Sequence, residues 1–224
     1  HLVHVSFGTV MGNDGKPFKT REGDTVGLEG LIDDAVTKAL EVVAKLDDAK
    51  VGGPEFSAEQ RREIAEVVGV GALKYGDLSQ NRTSDYRFDF DQMVALDGNT
   101  ATYLQYSFAR ANGIFARAER TPDSIRTADT SIQLTNEAER TLLLTLIRFQ
   151  DTLEEVLVDY RPNLLCNYLF ELTQEFFRFY NRPDCRVVGA EPALLASRLA
   201  ICDLMARTIK TGLALLGIQV VAKM

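Results

Sequence analysis

Residues 97–120 read DGNTATYLQYSFARANGIFARAER, and the reading of this stretch decides the fold. Asp97-Gly98-Asn99-Thr100 is turn chemistry followed by helix-starting residues. The residues after it keep helical periodicity for about 20 positions. Leu104, Phe108, Ala111, Phe115 and Ala118 recur at three- and four-residue steps, which predicts one apolar stripe facing a core. Tyr103, Tyr106, Arg110, Gly113 and Arg117 recur at the same steps on another face. Tyrosines stack on nucleobases, and arginines pair with phosphates or stack on bases, so this face is a candidate nucleic-acid surface. The same spacing also fits a solvated face carrying half-buried tyrosines.

Composition bounds the alternatives. A chain of 224 residues, 46% hydrophobic and 25% charged, is ordinary globular material with room for one large or two small domains. Cys166, Cys185 and Cys202 form no CxxC pair and no even framework, which suits buried thiols in a reducing compartment such as the cytoplasm. No apolar run reaches the ~18 residues of a membrane span. There is no signal-peptide pattern; the chain begins at His1, already in an apolar segment, as expected of a piece of something longer. The net charge of −7 argues against non-specific nucleic-acid binding and against DNA as a partner. It is unevenly spread. Residues 1–101 hold 11 basic and 18 acidic side chains, whereas residues 102–224 hold 14 of each, and 12 of those 14 bases are arginine.

Working outward toward the N-terminus, Leu2–Val10 predicts a buried strand with Val3, Val5 and Phe7 alternating. Asn13–Pro17 is strong turn chemistry, and Thr25-Val26 predicts another short strand. Between them hangs a Gly-flanked loop with Lys16, Lys19 and Arg21, either a phosphate-contacting loop or a charged hairpin tip. Leu31–Leu46 predicts an amphipathic helix. Ser57 with Gln60 is a capping-box pattern opening a helix to about Leu78, in which Gly69 and Gly71 predict close backbone packing. Tyr86, Phe88 and Phe90 alternate with Arg87, Asp89 and Asp91 as in a half-buried strand with solvated aspartates; no metal site is expected there.

Toward the C-terminus, Arg120–Gln133 reads as a surface loop, and everything after it as helical. Asn136 with Glu139 is a second capping-box pattern. Pro162 marks a helix start, and Leu165, Tyr168, Leu169, Leu172, Phe176 and Phe179 form one apolar stripe. A last helix, about Ala193–Leu216, ends at Gly217. The fold class expected is mainly α: a small α/β piece over residues 1–98, then an all-helical bundle over 99–224. GxSxG, HExxH, Walker and zinc-ligand patterns are all missing.

The strings HVSFGTVMG, GKPFKTREGDTV, GALKYGDLSQNRTSDYRFDFDQM, GNTATYLQYSFAR and GLALLGIQVVAKM, in this order and spacing, resemble the C-terminal portion of the arginyl-tRNA synthetases, a class I family. The family's upstream signature and arginine pocket are not in this chain. The resemblance implies that Phe18-Lys19-Thr20-Arg21 stands for the Lys-Met-Ser-Lys-Ser loop that steadies ATP phosphates. It leaves open which of Lys16, Lys19 and Arg21 reaches pyrophosphate. It implies a helical anticodon-binding domain in which Tyr103, Tyr106 and Arg110 meet the anticodon loop of tRNA(Arg), with Tyr180 and Met224 as further contacts and Tyr168 competing with Tyr180; Arg117 joins this set by its spacing on the same face. It also implies that the parent uses ATP with Mg, and that this chain, lacking its upstream catalytic half, neither binds ATP nor catalyses by itself. A helical scaffold module without tRNA binding is the other reading, supported by the acidic charge.

Overall fold

A computed structural model describes residues 2–12, 15–17, 27–87, 89–128 and 130–224. Lys19, Arg21 and the strand expected at Thr25-Val26 lie outside these, as does Phe88. The described residues form a mainly α fold with one two-stranded parallel sheet, β1 (Val10–Met11) beside β2 (Tyr86–Arg87).

The first two helices make a hairpin, α1 (Leu28–Asp48) and α2 (Ala58–Leu78). Ser57 and Gln60 close the expected capping box at the start of α2. A Cβ added at Gly69 would lie 2.8 Å from the backbone of Ala35 and Val36, so only glycine lets the two helices approach this closely. The connection between them is held by Asp47, fully buried at the end of α1. Its carboxylate accepts from the Glu55 and Phe56 amides at 2.9 and 3.2 Å and from Arg61 at 2.8 Å, and pairs with Lys50 at 3.1 Å. Burial opposes its ionisation, but these donors outweigh burial and hold the carboxyl well below the usual carboxylate range. A depressed folded pKa stabilises the fold above the unfolded value of about 4 and loses that contribution as pH falls further. We therefore expect wild type and Asp47→Asn to differ in melting temperature at neutral pH, with the difference narrowing progressively as pH falls below about 4. Parallel melting curves across that range would show that the carboxylate carries no such load.

After β2 come a single turn of helix, α3 (Phe90–Met93), and the central helix α4 (Ala101–Arg117). The strand alternation expected through Phe90 stops early because the Asp89 side chain accepts from the Gln92 amide and caps α3. Thr100 caps α4 by accepting from the Tyr103 amide at 3.1 Å. Then follow α5 (Pro122–Arg126), α6 (Glu137–Ile147), α7 (Phe149–Asp159), α8 (Pro162–Tyr180) and α9 (Pro192–Leu215). Helix α5 interrupts the expected Arg120–Gln133 loop; Thr121 and Ser124 cap it and Pro122 opens it. The Asn136–Glu139 box and the Pro162 start are present as expected.

The core sits between α4, α6, α8 and α9. The α8 stripe of Leu165, Tyr168, Leu169, Leu172, Phe176 and Phe179 is buried along its whole length. On α4 the expected phase needs correction. Leu104, Ala111 and Phe115 are buried, but Phe108 and Ala118 are only half-buried. Ala101, Thr102, Gln105, Ser107, Ala109 and Ile114 are buried as well. The reason is that α4 packs against α2, α8 and α9 at once, so no single stripe accounts for its burial.

Leu2–Val10 is the other correction. Only Val10 belongs to a strand, and Leu2, Val3, Val5 and Phe7 are exposed. Among the described residues only β2 pairs with this segment as a strand, and only at Val10 and Met11, so no sheet covers the alternating side chains. Of the turn expected at Asn13–Pro17, Asn13 and Asp14 lie outside the described residues; on either side of them Gly12 donates to the Lys16 carbonyl at 2.8 Å, and Met11 bridges Pro17. No helix among the described residues is long and apolar enough to cross a membrane.

Candidate nucleic-acid interface

Helices α4 and α8 lie against each other and build the site from their facing edges. Tyr103 and Tyr106, three residues apart on α4, both stack with Phe177 of α8, at 5.3 and 5.9 Å between ring centroids. Phe170, seven residues earlier on α8, meets Tyr103 edge-on at 6.0 Å. Tyr180 stacks with Phe176 at 5.9 Å. The Arg110 guanidinium lies 5.0 Å from the Tyr106 ring and 5.8 Å from the Tyr180 ring, and it donates to the Tyr106 hydroxyl. Arg117 donates to the Tyr180 hydroxyl at 2.9 Å. The result is an aromatic ladder with two arginines along it.

Tyr103, Tyr106 and Arg110 lie together, but their face is not separate from the core. Tyr103 packs against the main core and Tyr106 against a second apolar cluster between α1, α2 and α4. Partial burial raises the Tyr103 phenol above its ordinary value, so it stays a hydrogen-bond donor at neutral pH. Tyr180 stands at this face. Tyr168, the competing tyrosine, is buried behind Phe149 and is not there. Met224 is placed differently from expectation: its side chain is buried in the second cluster with Ala109 and Val221. There it fastens the tail that follows α9, which Gln105 and Asn112 also hold by donating to the carbonyls of Gln219 and Ala222 at 2.8 and 3.1 Å.

Seven arginines of the bundle are ion-paired, while Arg110, Arg117, Arg120, Arg161 and Arg186 meet no described carboxylate. Arg126, Arg140, Arg148, Arg178, Arg182, Arg198 and Arg207 each meet a carboxylate. Arg110 and Arg117 instead meet aromatic rings, tyrosine hydroxyls and the Gly113 carbonyl. Their positive charge is left to the surface, where it can attract an anion. Phe177 and Phe170 escape a reading of α8 alone because they lie just beside its apolar stripe. Their seven-residue spacing, set beside the Tyr103/Tyr106 pair, is the signal that points to them.

Residues 104–224 match the family model described as the DALR anticodon binding domain, and residues 1–90 match that of the class I (R) tRNA synthetase catalytic domain. The chain belongs to the DALR anticodon-binding domain family. Over its full length it is 48% identical to an arginine–tRNA ligase of Rhodopirellula baltica, 46% to one of a Cyanothece strain and 44% to one of Actinobacillus succinogenes. It spans 34%, 37% and 37% of those relatives, about a third of their length. The solved arginyl-tRNA synthetase of Plasmodium falciparum matches with a TM-score of 0.76 and 28% identity over 89% of this chain and 34% of that one. The Thermus thermophilus arginyl-tRNA synthetase shares the fold, with a TM-score of 0.82 at 24% identity over 96% of this chain and 34% of that one.

Proposed function

We propose that this chain is the C-terminal part of an arginine–tRNA ligase and that it binds tRNA(Arg) through the anticodon loop. The observation that carries this reading is the α4–α8 face, where Tyr103, Tyr106 and Tyr180 stand with two arginines that no described carboxylate neutralises. An anticodon loop offers unpaired bases and closely spaced phosphates, which such a face recognises by stacking and by guanidinium contacts. Arg110 occupies the place over Tyr106 that a base would take, and turning outward would let it meet a phosphate. Met224 contributes through its buried side chain, which fixes the tail beside α4.

In this reading residues 1–98 close the catalytic part and residues 99–224 are the anticodon-binding part. The parent, working in the cytoplasm, attaches arginine to tRNA with ATP and Mg. Lys16, at the end of the turn after β1, with Lys19 and Arg21 beyond it, stands on the phosphate side and stabilises charge on the leaving pyrophosphate. The acidic balance, −7 overall, favours the second reading, a helical scaffold without tRNA binding. Titrating the chain with arginine-accepting tRNA at two salt concentrations separates them. We expect saturable binding that weakens only shallowly with salt, because few phosphates are engaged. No binding at low salt would favour the scaffold.

A further inference from the structure

We infer that Arg82 is a positioning residue that ties the phosphate-side segment of the chain to the α7–α8 corner of the bundle, so that tRNA seated on α4 and α8 is held in register with the catalytic half. The inference rests on the function proposed above and extends it to a residue outside the tRNA-facing surface.

Arg82 lies in the loop between α2 and β2 and spends its guanidinium on three backbone carbonyls. It donates to Ser6 at 2.8 Å on one side, and to Asp159 and Tyr160 at 2.8 and 3.2 Å on the other. Its own carbonyl accepts from the Gly8 amide. The segment from Ser6 is therefore gripped twice. A Cβ at Gly8 would lie 2.3 Å from the Ser84 carbonyl oxygen, so this segment runs flush against the Arg82 loop. It continues directly into β1 and the turn that ends at Lys16.

The other two carbonyls belong to the end of α7, where helix carbonyls lack internal partners and carry the negative end of the dipole. Tyr160 there adopts a left-handed backbone, with φ of 53°, which a non-glycine residue holds only when its surroundings enforce it. Two residues later Pro162 opens α8, the helix that carries Phe177 and Tyr180. Polar as well as apolar side chains line this junction, Asp77, Gln80 and Asn81 among the former. A cavity of about 470 Å³ lies beside it, lined by Phe7, Val10, Leu78, Tyr86 and Pro162 among others. The planar fork of arginine is what spans acceptors on two separate segments, and a lysine ammonium has no such fork.

The test uses the full-length ligase that carries this chain, as wild type, Arg82→Ala and Arg82→Lys, with aminoacylation kinetics, tRNA affinity and melting temperature measured on each. A misplaced tRNA slows transfer without being bound less well, because the α4–α8 face is untouched. We expect kcat for aminoacylation to fall by about ten-fold or more in Arg82→Ala. The tRNA Kd should stay within about two-fold, and Arg82→Lys should recover only part of the loss. Should Arg82→Ala fail to fold, Arg82→Gln carries the same readouts. Unchanged kcat, full rescue by lysine, or affinity and kcat falling together with the melting temperature would each overturn the inference. A wild-type ligase that does not charge tRNA would remove the proposed function and this inference with it, whereas an active wild type with an equally active Arg82→Ala removes the inference alone.

Discussion

Arg198→Ala is expected to destabilise the helical bundle by about 3–5 kcal/mol, the cost of leaving a buried charge without its partner. Arg198, on α9, is almost fully buried and donates from Nε to Glu139 on α6 at 2.7 Å. Its two other nitrogens donate to the Arg186 and Asp184 carbonyls, both at 2.8 Å. Glu139 is fully buried, and it also accepts from the Thr135 amide at 2.6 Å. Burial opposes ionisation of Glu139, but the Thr135 amide and Arg198 outweigh it and keep the carboxyl below its ordinary value. Removing the guanidinium strands the carboxylate and orphans two loop carbonyls at once. The exposed pair Arg148–Glu171, at 2.8 Å, makes the contrast: losing it should cost under about 1 kcal/mol. Urea unfolding of Arg198→Ala and Arg148→Ala, with Arg198→Met/Glu139→Leu beside them, checks this. The double variant should regain much of the loss, because neither charge is then stranded. A cost below about 1 kcal/mol for Arg198→Ala would mean that water reaches the pair.

Tyr106→Ala is expected to weaken tRNA(Arg) binding about ten-fold or more, since a stacked base is worth roughly 1–3 kcal/mol and about 1.4 kcal/mol is ten-fold. The ring is half-buried on the second cluster and stacks with Phe177, so the variant should also melt earlier while keeping its helix content. That coupling requires a control. Tyr106→Phe preserves the ring and removes only the hydroxyl that Arg110 meets. It should keep most of the affinity if stacking dominates. Phe177→Leu keeps an apolar filler but takes away the ring behind both tyrosines, and it should weaken binding without touching the α4 surface. Binding by Tyr106→Ala at wild-type strength would detach the tyrosine ladder from tRNA recognition.

The parts of this fold that were legible in the sequence are those fixed by near neighbours. The Ser57 and Asn136 capping boxes, the Pro162 start, the α8 stripe and the tight approach at Gly69 all depend on residues a turn or so apart, or on the absence of one side chain. Long-range pairing was not legible. Nothing near Glu139 announces that its partner is Arg198, and the same capping residue serves both roles. The phase of α4 misled because a central helix is buried on several sides, so Gln105 and Ser107 count as core while Phe108 does not fully. The N-terminal alternation from Val3 to Phe7 is a strand pattern without a described apolar neighbour to realise it. On α4 the shared face of Tyr103, Tyr106 and Arg110 follows from spacing, whereas the placing of Tyr180 beside Arg110 and the burial of Tyr168 depend on packing between helices. Met224 was placed at the interface by resemblance, whereas its side chain is used to anchor the tail.

The α4–α8 face is expected to meet the bases of the anticodon loop. An isolated anticodon stem–loop of tRNA(Arg), titrated into the wild-type chain beside a stem–loop with the same stem and a replaced loop, tests it most directly. We expect the native loop to bind, the replaced loop to bind about ten-fold or more weakly, and this preference to collapse in Tyr106→Ala. Equal binding of both stem–loops by the wild-type chain would contradict it.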